Sequence, residues 1–511
     1  MSDGYKQLTI GVHYEPSGVD PHIGSAELAL QMTNAVFDTL VNKTVEGDYL
    51  PGLAERYEVS ADQRIYTFYL RRGVVFHDGE PFDAQAMKFS LDRARDPANQ
   101  SQLAGSMLGS YDQANVLDTF TLEIRLKEPY ALLLDALSQG WLAPVSPRAV
   151  AALGDGFSRH PVGTGPFTFE RWEAGNCLVI KRNPAYAWAP PLVTNQGPPA
   201  LDEICFRFLP NSASRTAALT AGEVDAIFYV EPSDCASLRA DGAYRLETLP
   251  IRGIPVCLMM NISRAPTDEL AVRQAVSYAV DQDALVDEVF HGEFERAWGP
   301  VSQFTLGYNS AVEQYYVYSH ERAVSLLDEA GWLLSEDGWR YRAGEPLELS
   351  FYALPVNFYP EFGKIITRQL AAVGIRVEVR LLDPVPWIRA GMAGEHHLIP
   401  QGKYASSSQL LSFVYHSRNS GPAGYGWSKR SAEHHPGFDQ LIGKAEQALP
   451  TEGFVPLFGE VQELVMQEAL AVPLHCNTNI MAMRNEVMGI RFDAIGAYPL
   501  FHDADLSVKV S

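Results

Sequence analysis

A chain of 511 residues is too long for one ordinary core and should divide into two or three domains. Its 46% hydrophobic and 20% charged content are those of a folded protein rather than a disordered one. The net charge of −22 argues against a nucleic-acid partner, because phosphate backbones are held by clustered lysine and arginine, and against adsorption to anionic lipid.

Residues 8 to 23 predict a first strand running into a polar turn at Ser17-Gly18 and Asp20-Pro21. Ser25 then stands where it can cap a helix from Ala26 to Phe37. Between Leu53 and Arg93 the pattern is strand, turn, helix. Tyr66, Phe68 and Leu70 alternate with polar neighbours, the period of a strand with one buried face. His77-Asp78-Gly79 turns the chain, and Asp83 is placed to cap the next helix. Met87, Leu91 and Ala94 give that helix a buried stripe, and Asp96-Pro97 ends it.

The stretch YTFYLRRGVVFHDGEPFDAQAMKFSLDR within this unit resembles a segment of the extracytoplasmic solute-binding proteins that serve peptide and nickel ABC importers (family 5). That resemblance implies a bilobal α/β periplasmic-binding-protein fold, class II-like with an extra subdomain in the first lobe. In such proteins the residues after a D-P-H-like turn face the cleft between the lobes. Here they are Gly24, Ser25, Ala26 and Glu27.

Further along, Leu122, Ile124 and Leu126 alternate as another half-buried strand, and a short helix is expected from Tyr130 to Leu137. Ser138, Gln139, Gly140 and Trp141 follow, small and polar groups around one tryptophan, a composition that suits either a cleft wall or core packing. The apolar run 131 to 145 is broken by Asp135 and falls short of the roughly 20 residues a spanning helix needs. Val162-Gly163-Thr164-Gly165-Pro166-Phe167 is a fixed turn leading a strand, and resembles the same family. A strand at 204 to 208, a helix at 217 to 222 and a strand at 224 to 230 complete the first half.

The apolar run Arg252 to Asn261 suggests a crossover strand leaving the first lobe. Two helical stretches divided near Asp281 follow, with Ala271, Ala275 and Tyr278 expected on one face, in a passage that resembles nickel-binding members. A helix from His320 to Ala330 ends at Gly331. Residues 347 to 381 have the pattern of two parallel strands joined by a helix. Residues 383 to 436 are the least regular and are expected to be a recognition loop. Met466 to Arg484 holds the strand that returns to the first lobe. The expected division is 1–255 plus 477–511 for lobe I, with its subdomain at about 45–165, and 256–476 for lobe II. Two crossings make a two-stranded hinge about which the lobes close on ligand.

No nucleophile elbow, H-E-x-x-H or P-loop pattern is present, so no catalytic residue is assigned. A two-lobed hydrolase is the alternative of another class. Five scattered cysteines form no C-x-x-C pair, leaving at least one free thiol and room for one or two disulfides. Adjacent histidines on extended chain point to opposite sides, so His396-His397 and His434-His435 are expected to be surface or loop histidines, not metal ligands. No cofactor is expected.

Peptide-binding relatives place an aspartate in the second-lobe loop to pair with the peptide ammonium, and the resemblance matches that loop to Gln401–His416. It contains no acid. Lys403 stands there instead, and two like charges about 4 Å apart cost up to about 4 kcal/mol at an effective dielectric near 20. The solute is therefore expected to be a peptide held otherwise, a peptide-like or anionic compound, or a hydroxyl-rich one. Lys403, Tyr404 and Ser406 are the second-lobe candidates, and Ser25, Glu27, Gln139, Gly140 and Trp141 those of the first. His416 matches a histidine with which some nickel-binding relatives meet a chelated metal, so a nickel-chelate receptor is the alternative within the family. The expected partners are a small solute and an ABC permease, with the receptor a monomer. The N-terminus lacks the order of a secretory signal, leaving a cytosolic protein or one whose signal is removed. The resemblance favours removal and a periplasmic location.

Overall fold

The structure is a computed structural model that describes residues 5–23, 27–99, 101, 104–356, 358–419, 437–448 and 454–507, without the side chains of 27, 28 and 419. The chain divides into two compact units, Met1–Leu249 with Asn479–Ser511, and Pro250–Thr478.

The first unit is built on a seven-stranded sheet with Gln7–Val12 near its middle. That strand pairs in parallel with Glu203–Phe208 on one side and Ala226–Ile227 on the other. Beyond Ala226–Ile227 lie Thr478–Arg484 and Tyr244–Pro250, and beyond Glu203–Phe208 lie Cys177–Arg182 and Phe167–Glu173. Leu8, Ile10, Ile180, Phe206 and Met481 are fully or almost fully buried, and around them packs the core of this unit.

A separate four-stranded antiparallel sheet, in the order Ala54–Val59, Ile65–Leu70, Thr121–Leu126, Tyr111–Asp118, carries the helix Ala84–Arg95. Its alternation is as the sequence predicts, with Tyr66, Phe68 and Leu70 buried and their neighbours half-exposed. Asp83 caps the helix, its Oδ1 accepting from the Ala86 amide at 2.9 Å.

The second unit has a five-stranded sheet in the order Arg376–Leu381, Glu348–Ala353, Leu398–Tyr404, Gly253–Met260, Ala471–His475. The first two strands are parallel and joined by the helix Tyr359–Ala372, as their pattern requires. Gly253–Met260 runs antiparallel between Leu398–Tyr404 and Ala471–His475.

Several expectations are corrected. Residues 383 to 419 are largely regular, with a helix Pro384–Ala393, the strand Leu398–Tyr404 and a helix Leu410–Tyr415. Their short elements, two of them opened by turns rich in proline or serine, carry too few residues for periodicity to show. The helix Leu270–Ala279 buries Val272, Ala275, Val276 and Ala279, one position round from the expected face, because Arg273 is also drawn in by the backbone carbonyls of Thr267, Asp268 and Glu468. The expected strand at 224 to 230 is reduced to Ala226–Ile227, since Tyr229 turns into a positive φ of 55°. All five cysteines are buried free thiols, so the disulfides that sequence left open are not formed.

Candidate functional site

Arg93 closes the helix of the family-like segment and reaches back to the first turn of the chain. Its guanidinium donates to both carboxylate oxygens of Asp20, at 3.0 and 2.5 Å, and to His22 Nδ1 at 3.0 Å. His22 Nε2 then donates to the Ala143 carbonyl at 2.9 Å, which fixes the neutral tautomer. Burial holds the His22 pKa down at about 4, with the Asp20 carboxylate pulling the other way and the Arg93 charge adding to the fall. Arg93 and Asp20 side chains are 8% and 2% exposed, so this is a buried, fully partnered ion pair. It ties together the turn that leads into 24–27 and the segment that follows Gln139–Trp141.

Gly140 packs on the helix Glu27–Thr33, where a Cβ would stand 3.1 Å from Leu30 Cδ2 and from Asn34 Oδ1. Gln139 Nε2 donates to Asp135 Oδ2 at 3.1 Å, and Asp135 is ion-paired with Lys43. Trp141 is 3% exposed and contributes to packing in this unit. Gly24, Ser25 and Ala26 lie outside the described residues, as does the Glu27 side chain, whose backbone opens the helix. The first-lobe candidates Gly140 and the helix after Ser25 are thus neighbours.

The second family-like motif is a brace for the same region. Gly165 N–H donates to the Val36 carbonyl at 3.0 Å, and His77 donates through its amide to Gly163 O and through Nε2 to Gly165 O, both at 3.0 Å. A Cβ on Gly163 would fall 2.2 Å from Val36 O, and one on Gly165 2.5 Å from Ala35 O, so only glycine permits this approach. Thr164, Tyr186 and Trp188 each donate to the Asp38 carboxylate at 2.9 Å, and burial lifts its pKa to about 6.

In the second unit Lys403 and Tyr404 end a strand rather than sit in a loop, paired with Ile254 and Gly253. Gly253 has a φ of +126°, and a Cβ there would meet Lys403 O at 2.1 Å. The Lys403 ammonium stands 5.3 Å from the Phe413 ring centroid. A small cavity is lined by Ile254, Met259, Gln401, Gly402, Lys403 and Val414. Ser406, Ser407, Ser408 and Gln409 are all buried, which the polar composition of the stretch does not suggest. Ser408 N–H donates to Leu306 O at 2.8 Å, so the loop at 302–307 covers this run.

His416 is half-buried at the end of Leu410–Tyr415. Its Nδ1 accepts from the Arg418 amide at 3.2 Å and also lies 3.4 Å from Asp439 Oδ1. The two contacts imply opposite charge states. The amide bond decides for neutral imidazole, in keeping with a pKa pushed down by burial and by the Arg418 charge. His396 and His397 lie in the loop just before the strand Leu398–Tyr404, as one of the two expectations has it, but are buried rather than on the surface. His397 Nδ1 accepts from the Ser350 amide and Nε2 donates to Ala265 O, both at 2.9 Å. His434 and His435 lie outside the described residues. Among the described residues no group of three or more His, Cys, Asp or Glu is arranged to hold a metal, and no helix is long and apolar enough to cross a membrane.

The model of the bacterial extracellular solute-binding proteins, family 5 Middle, matches residues 48–425. The chain belongs to this family. Similar to it are the dipeptide-binding protein of Escherichia coli K12, 26% identical with 97% of this chain and 93% of that one covered, and the glutathione-binding protein GsiB of Salmonella paratyphi A, 26% identical with 98% and 94% covered. NikA from Brucella suis, solved in complex with Fe(III)-EDTA, superposes with a TM-score of 0.87 at 25% identity, over 98% of this chain and 100% of that one. As a family 5 member the chain has the periplasmic-binding-protein fold and is the solute-binding component of an ABC importer, with the permease as partner. The family works outside the cytoplasm, and its role is capture of a solute rather than turnover.

The residues that sequence reasoning missed are Arg93, Asp20 and His22 as one device. The D-P-H turn and the L-D-R helix end were each legible, but nothing local joins residues 73 apart.

Proposed function

We propose that this family 5 receptor captures a small anionic, peptide-like solute and hands it to the permease as a monomer. Ser25, Glu27 and Gln139 face the solute from lobe I, backed by the buried Gly140 and Trp141, and Lys403, Tyr404 and His416 face it from lobe II, backed by the buried Ser406. The division follows the two crossings of the chain, with lobe I at about 1–255 plus 477–511, its subdomain at about 45–165, and lobe II between.

One observation carries this reading. The central strand of lobe II's five-stranded sheet presents Lys403 near its end, and no acidic residue occurs from Gln401 through His416. An ammonium-bearing peptide terminus finds no carboxylate on this stretch, the neighbouring Asp439 and Glu446 being taken up by Ser417 and by Ser412 and Arg418, whereas a solute carboxylate finds a cation. The similarity to glutathione-binding GsiB supports it, since glutathione is a peptide with more carboxylates than ammonium groups. A metal held in a carboxylate chelate is the second reading, favoured by the likeness to NikA and by His416, whose neutral imidazole is suited to a metal.

A thermal-shift panel of glutathione, alanyl-alanine, lysyl-lysine, nickel–histidine and Fe(III)-EDTA tests it. A tight ligand at a hundredfold its Kd stabilises by about 2.7 kcal/mol, an increase in Tm easily measured. Glutathione should raise the Tm and lysyl-lysine should not. A rise with lysyl-lysine alone would overturn the anionic reading.

A further inference from the structure

At the carboxyl end of the first unit's parallel strands, four residues from four elements converge on Tyr229. His13 follows the strand Gln7–Val12, and its ring meets the Tyr229 ring edge-on with centroids 4.4 Å apart. Gln31 Nε2, from the helix Glu27–Thr33, donates to Tyr229 OH at 2.7 Å. Arg215 Nη2, from the helix Ser212–Thr220, donates to Tyr229 O at 2.9 Å. The Tyr229 amide donates to Asn479 Oδ1 at 3.3 Å, where the chain re-enters this unit. Tyr229 itself sits at φ +55°, a conformation that is strained for a non-glycine residue and that persists only where surrounding contacts over-determine it.

Around this strained residue three buried nitrogens have no partner: Asn479 Nδ2, His13 Nδ1 and Arg215 Nε. Asn479 is 0% exposed and Arg215 4%. A buried donor left unmet is costly, and native cores keep few of them. Here three lie about one tyrosine, at the place where parallel sheets bind ligands. The central strand lies between two parallel neighbours, Glu203–Phe208 on one side and Ala226–Ile227 on the other, and the chain passes from the first to the second through Ser212–Thr220, which makes a topological switch point. His13 and Tyr229 are only part-buried, so the cluster opens to solvent at those two rings. Asn479 Nδ2 and Arg215 Nε can only donate, which makes the cluster a place for an acceptor oxygen. Burial, with the Arg215 charge adding to it, holds the His13 pKa down at about 4 and keeps the ring neutral.

We propose that Asn479, His13 and Arg215, arrayed about Tyr229, form a lobe I subsite for a carboxylate of the solute. This deepens the anionic-solute reading and rests on it. Asn479 is the decisive group, because it holds Tyr229 through one amide atom and offers the other to ligand.

The test is calorimetric titration of the full chain with glutathione and with glutathione whose glycyl carboxylate is converted to the amide. Asn479→Ala removes the donor, and Asn479→Asp keeps the shape and the acceptor for the Tyr229 amide while replacing the donor with a charge. The expected result is an affinity for the acid lowered about tenfold to a hundredfold in both variants, with the loss largest for Asn479→Asp and a change under about twofold for the amide. Variants that melt cooperatively and bind the acid as the wild type does overturn the subsite and leave the receptor reading standing. An equal loss for acid and amide overturns the carboxylate assignment. A wild type that binds neither compound overturns both the subsite and the reading beneath it.

Discussion

Arg93 shows how a single side chain decides the local geometry of this receptor. With one partner removed, Asp20 would be left as a buried, unpaired carboxylate, and Arg93→Met should cost about 3–5 kcal/mol in urea denaturation. Replacing both, as in Asp20→Leu with Arg93→Met, should recover part of that loss, and a single variant within 1 kcal/mol of wild type would contradict the clamp. Gly165→Ala should cost about 1–3 kcal/mol, because the added Cβ must push aside the Ala35 carbonyl. Asp83 was legible as a cap because its partner, Ala86, is three residues away. Arg93 was not, because its partners are distant in sequence and a helix-terminal arginine has a sufficient solvated explanation. The buried serines 406 to 408 were illegible for the same reason, as what covers them comes from residues 302–307.

Among elements, those with a clean period were recoverable and those without were not. Ile65–Leu70 and Tyr359–Ala372 announce themselves through alternation and helical spacing. The 383–419 region hides three elements because each is short, and so Lys403 was expected on a loop when it sits at a strand end. That difference strengthens its role, since a strand end paired to Gly253 and Ile254 is a firmer platform than a loop. Trp141 belongs to this scale as well. At 3% exposed it packs the short turn Gly140–Leu142 into the first unit, so Trp141→Ala should lower stability by about 3–5 kcal/mol even without ligand. Tyr404→Ala, at a half-exposed position, should lower stability far less while weakening solute binding. A Tyr404→Ala protein with wild-type affinity would remove Tyr404 from the proposed site.

Across the whole molecule, pH reports how the ionisable groups are buried. His13, His22, His77, His397, His475 and His502 all have pKa values lowered to about 4, principally by burial. The unfolded chain protonates these rings near pH 6.5, so between about 6.5 and 4 it binds more protons than the folded one, and stability falls as pH falls. Each ring contributes up to about 1.4 kcal/mol per pH unit. Asp38 and Asp493, raised to about 6 by burial, act in the opposite sense, favouring the fold as pH drops from 6 towards 4. The histidines outnumber them, and the Tm should decline steadily from pH 7 to pH 5. A Tm that rises over that range would contradict the neutral, buried histidines.

Of the motifs from which the family was legible, two prove to be braces: Arg93 of the first clamps the Asp20 and His22 side chains, Gly163 and Gly165 of the second receive His77, and neither motif carries solute in this account. In the proposed reading, what the receptor holds depends on sparse groups whose meaning comes from position, Lys403 above all. The most direct measurement is therefore calorimetric titration of wild type and Lys403→Glu with glutathione. The account requires micromolar or tighter binding by the wild type and at least about a tenfold loss in the variant, since attraction to a solute carboxylate becomes repulsion. Equal affinity in the two proteins would contradict the claim that this chain recognises its solute by negative charge.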